Sequence, residues 1–290
     1  MRAEAIVDLS AIKHNVSLLK ERAGVNLLAV VKADAYGHGL VPVAKAAVDA
    51  GASMLGVALL EEAIALREAG ITAPILAWLV QPGSDFKSAI DLDIDLAAGS
   101  IKALHEIQEA SHDKSARVHL ELDTGMTRGG FLNEWAQLEA ADVAGLEIVG
   151  VFSHFARADE PAEQQNLDQL ARFNEMVSTL RSFGFTDVVR HLANSAATLT
   201  NPAASFEMVR TGIAMYGFDA RCFDGKFEGF WTSPSDAIAI SALLSKGSSR
   251  RNSSWIRCIR IHNSRHKVGC GHDGICRWNS TCRKGRRGLD

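Results

Sequence analysis

Ala29-Val30-Val31-Lys32-Ala33-Asp34-Ala35-Tyr36-Gly37-His38-Gly39 joins an apolar run, begun at Leu27, to a turn of small residues and glycines. A β-branched apolar run of this length, closed by glycines, reads as a buried strand ending at Lys32. Seven similar runs follow at 54–58, 75–79, 95–98, 118–123, 148–154, 188–193 and 208–216. Amphipathic stretches separate them. In 166–183, Leu167, Leu170, Val177 and Leu180 share one helical face before a stop at Gly184. A helix over 10–23, with Ser10 as N-cap, precedes the first strand.

Alternating strands and helices make a parallel sheet, and eight of each close into a (β/α)8 barrel of the TIM type. An open doubly wound sheet is the alternative, but no Gly-x-Gly-x-x-Gly turn follows the first strand. The run at 95–98 carries alternating acids and reads as half exposed.

The chain has 290 residues, 47% of them hydrophobic, and a formal net charge of −3. That charge is unevenly distributed: residues 1–245 sum to −13 and residues 246–290 to +10. Four of the five cysteines, Cys258, Cys270, Cys276 and Cys282, lie in the basic part. The sequence therefore divides into a barrel domain over 1–240 and a basic, Cys-rich tail over 241–290 without helical or strand period, expected to be disordered. His262, His266 and His272 interleave with those cysteines, but structural zinc sites usually contain a Cys-x2–4-Cys hairpin and none is present, so no metal is expected. Residues 1–8 lack a signal-peptide pattern and no apolar stretch reaches the roughly 18 residues of a membrane span. The expectation is a cytoplasmic protein with no membrane or nucleic-acid partner.

Lys32, at a strand end, projects from the carboxyl face of the barrel, where barrel enzymes place their catalytic groups. Surrounding Ala, Val and Leu hydrate an amine poorly, which favours its attack on an aldehyde in the neutral form. Context alone favours the plainer reading, a lysine that snorkels to solvent. Taken singly, Arg128 would pass for a surface arginine, His154 for a core histidine, and the Ser195 segment for a helix N-cap.

Val-Val-Lys-Ala-Asp-Ala-Tyr-Gly-His-Gly resembles the cofactor-lysine signature of the alanine racemase family. The resemblance continues through His119-Leu-Glu-Leu-Asp-Thr-Gly-Met-Thr-Arg128, Phe152-Ser-His-Phe155, Leu192-Ala-Asn-Ser-Ala-Ala-Thr198 and Val209-Arg-Thr-Gly-Ile-Ala-Met-Tyr-Gly217, covering about residues 1–240. It implies interconversion of L- and D-alanine for cell-wall synthesis, with pyridoxal 5'-phosphate bound covalently to Lys32, which is also the base on one face of the substrate. It implies that Arg210 faces the cofactor's pyridine nitrogen, that Tyr36, Asn194, Ser195, Gly212 and Ile213 surround its phosphate, and that Arg128 meets the phenolic oxygen and substrate carboxylate. His154 is expected to orient the ring and Arg210.

Two departures stand out. Many family members carry a carbamylated lysine where this chain has Glu121, so Glu121 is expected to steady Arg128, directly or through water. The family's second base is a tyrosine from the partner's β-rich second domain in a homodimer. Here the only tyrosines, Tyr36 and Tyr216, both belong to barrel motifs. A reading-frame shift near 241–246 would explain the change of character there, and the same DNA in another frame should then encode strands and a tyrosine. Without that domain, dimerisation and racemisation are both in doubt; a cofactor carrier without turnover and an inactive product are the alternatives.

Overall fold

The computed structural model describes residues 7–141 and 143–218, with the backbone of two short strands further on. Eight strands, β1 (Asn26–Val30), β2 (Met54–Val57), β3 (Ile75–Ala77), β4 (Ile94–Ala98), β5 (Ala116–Glu121), β6 (Leu146–Phe152), β7 (Val189–His191) and β8 (Met208–Thr211), form one sheet in the order β7-β6-β5-β4-β3-β2-β1-β8. Every pairing is parallel. β8 lies beside β1, and the ring closes where the Arg210 amide donates to Ala193 O at 2.9 Å, so the sheet is a nearly closed barrel.

Side-chain alternation splits the apolar residues into two sets, as a sheet with both faces covered requires. The larger set packs between strands and helices. The smaller, Leu28, Val30, Met54, Leu76, Ala97, Phe152 and Met208 with Trp78 and Val189, fills the barrel interior. The remaining interior, toward β4, β5, β7 and β8, holds Asp95, His119, His191 and Arg210, all buried.

Several sequence expectations need correction. Asp95 is 2% exposed, because it points into the barrel and pairs with Arg117 and His119. Asp8 rather than Ser10 caps the first helix, Leu9–Ala23, accepting from the Ser10 and Ala11 amides. In the helix Gln164–Ser182 the buried stripe runs through Phe173, Met176, Val177 and Leu180, while Leu167 is exposed. The eighth run divides into a strand and a 3-10 turn, Ile213–Tyr216. Most of 241–290 lies outside the described residues, as does Cys222. Within it, Lys267–Cys270 and Cys276–Asn279 pair as antiparallel strands where no period is legible in the sequence.

Candidate active site at the carboxyl end of the barrel

β1 stops at Val30, and after Lys32 the backbone makes a turn of the wrong hand. Ala33, Asp34, Ala35 and Tyr36 have φ of 52 to 55° and ψ of 34 to 54°. Left-handed helix costs non-glycine residues about 1–2 kcal/mol each, so the surroundings must over-determine the turn. They do. The Ala35 amide donates to Val31 O at 2.8 Å and the Gly39 amide to Asp34 O at 2.9 Å. Asp34 Oδ1 accepts from the Leu40 amide at 2.7 Å. Glu62 Oε1 accepts from the Ala33 amide at 2.5 Å, while its Oε2 caps the Ala58 and Leu59 amides at 3.0 Å. Lys32, half-buried, stands at the head of this turn.

The turn brings Tyr36 against β8. A Cβ on Gly212 would stand 2.5 Å from Tyr36 Oη, so the phenol occupies space that only glycine leaves open. The ring of Tyr36 lies 4.8 Å from that of Tyr216, whose hydroxyl donates to Val30 O at 3.1 Å. Ser195 Oγ accepts from the Gly212 amide at 2.9 Å and the Ala214 amide at 3.3 Å. Thus Tyr36, Ser195 and Gly212 converge, with Ile213 next in the chain. Asn194 stands apart in role: its Oδ1 accepts from the Ala197 amide, capping the helix Ser195–Thr200. These groups fit a phosphate ester: the Tyr36 and Ser195 hydroxyls stand beside the main chain at Gly212, where a methyl group would collide with the phenol.

Arg210 rises from β8 into the interior. It donates to His191 O, to Ser153 O at 2.6 Å and to Leu192 O at 3.4 Å, and its Nη2 lies 3.3 Å from His154 Nδ1. Burial pulls its guanidinium down to about 10, Glu121 opposing that shift and Arg128 adding to it, so it stays charged at neutral pH. His154 is pushed down to about 3 by burial and then by Arg210, Arg128 and Lys32. It is therefore neutral. Since a guanidinium only donates, His154 Nδ1 accepts and its proton sits on Nε2.

Arg128 follows Thr127, itself at φ 57°, and is exposed. It forms no ion pair with Glu121 among the described residues; Glu121 Oε2 instead lies 3.4 Å from where a Gly99 Cβ would stand. Burial raises the Glu121 carboxyl, and Arg128 and Arg210 counter it, so the charge acts on both arginines through space. Glu62 and Gln169 escaped the sequence reading. Gln169 Nε2 donates to His154 O at 2.9 Å and to Thr124 Oγ1 at 3.1 Å, holding the strand end that carries His154. Both sit on helices and act mainly on backbone groups far away in sequence, which leaves no motif.

Residues 7–220 match the family model described as alanine racemase, N-terminal domain. The chain is 50% identical over 224 residues to an alanine racemase of Thermobifida fusca, covering 74% of this chain and 60% of that one. It is 43% identical over 260 residues to that of Streptomyces coelicolor, covering 85% and 66%. The crystal structure of alanine racemase from D-cycloserine-producing Streptomyces lavendulae superposes with a TM-score of 0.74 at 44% identity, covering 76% of this chain and 60% of that one. That of Bacillus anthracis, with bound L-Ala-P, gives 0.70 at 41% identity, covering 75% and 58%. The chain spans about three fifths of the length of the first of these relatives. With its matched region taking in the whole barrel and the mouth just described, the chain belongs to the alanine racemase N-terminal domain family.

Proposed function

We propose that the barrel binds pyridoxal 5'-phosphate on Lys32 and serves alanine racemisation. The observation that carries this reading is the convergence of Tyr36, on the turn headed by Lys32, with Ser195 and Gly212, and a fixed cation, Arg210, on the strand that neighbours β1. When bound, the cofactor supplies an electron-withdrawing ring that acidifies the α-hydrogen of an amino acid. Lys32 Nζ anchors it and takes and returns a proton on its own side. Arg210, donor-only and charged, offers the pyridine nitrogen a hydrogen-bond donor and discourages a proton there. His154, neutral and bound through Nδ1, orients Arg210 and does no acid–base work near neutral pH. Tyr36 and the backbone at Gly212 and Ile213 hold the phosphate, and Arg128 meets the substrate carboxylate.

The opposite face of the substrate needs a second proton carrier. Tyr216 is 1% exposed and donates to Val30 O, and Tyr36 is committed to the phosphate cradle, which supports a carrier from outside the barrel. In this reading the barrel works in the cytoplasm as one half of a homodimeric site.

The test is to load the full chain with pyridoxal phosphate, reduce it with borohydride, and map the modified peptide. Modification of Lys32, absent from Lys32→Ala, is the expected result. Alanine incubated with the loaded chain in deuterium oxide should then exchange its α-hydrogen, and D-alanine formation reports the second carrier. Unmodified Lys32 overturns the proposal.

A further inference from the structure

Behind Arg210 the barrel interior holds a row of polar side chains that the proposed function leaves unused. His191 Nδ1 lies 3.2 Å from Arg210 Nη1, His191 Nε2 lies 2.8 Å from His119 Nδ1, and His119 Nε2 lies 3.3 Å from Asp95 Oδ2. Asp95 also accepts from Arg117 Nε at 2.9 Å and Nη2 at 3.3 Å, and the Arg117 side chain reaches solvent at the other end of the barrel. Asp95, His119 and His191 are at most 3% exposed, so none of these groups can turn to water for a partner.

The donor inventory leaves one assignment. A guanidinium has no lone pair to offer, so His191 Nδ1 must be the acceptor. Neutral His191 then carries its proton on Nε2 and donates to His119 Nδ1. His119 carries its own proton on Nε2 and donates to Asp95. An Nδ1-protonated or charged His119 would set N–H against N–H, either between the histidines or at Arg210, with both groups buried. Burial also pulls His191 well below its ordinary range, in keeping with a neutral ring. For Asp95, burial alone would raise the carboxyl, but the His119 and Arg117 hydrogen bonds outweigh it and hold it below its ordinary value.

The backbone is shaped for this row. The β5–β6 register shifts between Val118 and His119, a bulge that re-aims the side chain. Opposite His119 stands Gly150, where a Cβ would lie 2.0 Å from His119 Nδ1. The His191 ring stacks on Phe152 at 5.1 Å and 13°, which fixes its plane.

We propose that Asp95, His119 and His191 are positioning residues forming a one-way donor chain, Arg210 to His191 to His119 to Asp95, which locks both histidines as neutral Nε2–H tautomers and holds the Arg210 guanidinium at the mouth. Its bearing on the cofactor nitrogen rests on the function proposed above. Both ends set the direction, because the guanidinium can only donate and the carboxylate can only accept.

The test uses the full chain labelled with 15N-histidine, without cofactor, at neutral pH. Long-range proton–nitrogen spectra, assigned through His119→Gln and His191→Asn, should show both rings neutral and protonated on Nε2. Either ring charged or protonated on Nδ1 overturns the proposal, whether or not any Asp95 variant folds. Asp95→Leu removes the terminal acceptor and leaves a buried His119 Nε2–H unpaired, so it should shift the His119 Nε2 resonance and the absorbance of bound pyridoxal phosphate. Asp95→Asn keeps an acceptor oxygen and should restore both signals. Arg117→Gln touches the same carboxylate from the solvent side and should change neither; equal effects of Arg117→Gln and Asp95→Leu would reduce the row to packing and overturn its positioning role. A chain with the expected tautomers that takes up no pyridoxal phosphate supports the donor chain and defeats the proposed function instead.

Discussion

Gly212→Ala tests whether the proposed phosphate cradle is built from the contact between Tyr36 and the end of β8. The new Cβ would stand 2.5 Å from Tyr36 Oη and 3.3 Å from both Tyr36 Cζ and Val30 Cβ, so the phenol overlaps it by roughly 1 Å relative to ordinary contact. Val30 belongs to a central strand and cannot give way. Tyr36 is 38% exposed and can, leaving its packing on Tyr216 and withdrawing its hydroxyl from the cradle. A hydrogen bond to a charged group contributes about 1.5–3 kcal/mol. Losing it should weaken pyridoxal phosphate binding roughly 10- to 100-fold, at about 1.4 kcal/mol per tenfold. The assay is absorbance titration of the full chain with the cofactor, with thermal unfolding as a folding control. Tyr36→Phe removes the same hydroxyl without the collision and should lose a similar amount. Because both changes remove one interaction, the double variant should bind no worse than Gly212→Ala alone. Parental affinity in Gly212→Ala, or additive losses in the double variant, would refute the coupling between these residues.

The barrel seam gives a second prediction: Glu207→Gln breaks the pair with Arg190 that spans β7 and β8, but the pair is partly exposed, so urea unfolding should show a loss of only about 0.5–1 kcal/mol. Glu207 is held below its ordinary value by Arg190, so this contribution is present above the unfolded carboxylate range and should fade as the pH falls through the folded one. The interior histidines give a larger acid effect. His154 sits near 3 and His191 well below 6.5, so below about 6.5 the unfolded chain binds protons that the folded chain does not. Stability should fall with falling pH by at most roughly 1.4 kcal/mol per pH unit for each histidine, and His154→Asn should flatten that slope. A urea midpoint unchanged between about pH 7.5 and pH 5 would contradict this linkage. Finally, Gly150→Ala drives a Cβ to 2.0 Å from the buried His119 ring and should lower stability by about 1–3 kcal/mol or more in thermal unfolding, whereas Gly70→Ala, with open space around it but a φ of +79°, reports backbone strain alone.

The barrel was legible because its strands are apolar on both faces and its helices keep a 3.6-residue period; each of the eight runs overlaps a strand, four of which begin one or two residues earlier. What the period could not convey was the inward-facing polar sector. Asp95 reads as exposed because a carboxylate among apolar residues has no visible partner, and its partners Arg117 and His119 lie on the next strand. Likewise Lys32 and Tyr36 were found through a motif, but the left-handed backbone between them has no glycine over Ala33–Tyr36 to announce it. Its cause is tertiary: Glu62, on another helix, and Gly212, just past the last strand, create the geometry from outside. Capping shows the same limit on a smaller scale, where Ser10 and Asp8 are both good caps and only the backbone decides between them.

The seam and the site are physically one feature. Where β7 and β8 meet, the sheet forgoes a regular ladder, and carbonyls that would otherwise accept from strand amides need other donors. Arg210 supplies them at His191 O and Leu192 O, so the guanidinium that closes the barrel is also the cation presented at its mouth. Having spent several donors on backbone, it is fixed from behind, and a side chain so held needs no reorganisation when a ligand arrives. The same opening admits the helix Ser195–Thr200 close enough for Ser195 Oγ to accept from the Gly212 and Ala214 amides, which ties the proposed phosphate cradle to the end of β8 as well. A fully laddered barrel would satisfy its own backbone and leave Arg210 free to swing; the incomplete one makes the side chain's structural duty the source of its rigidity.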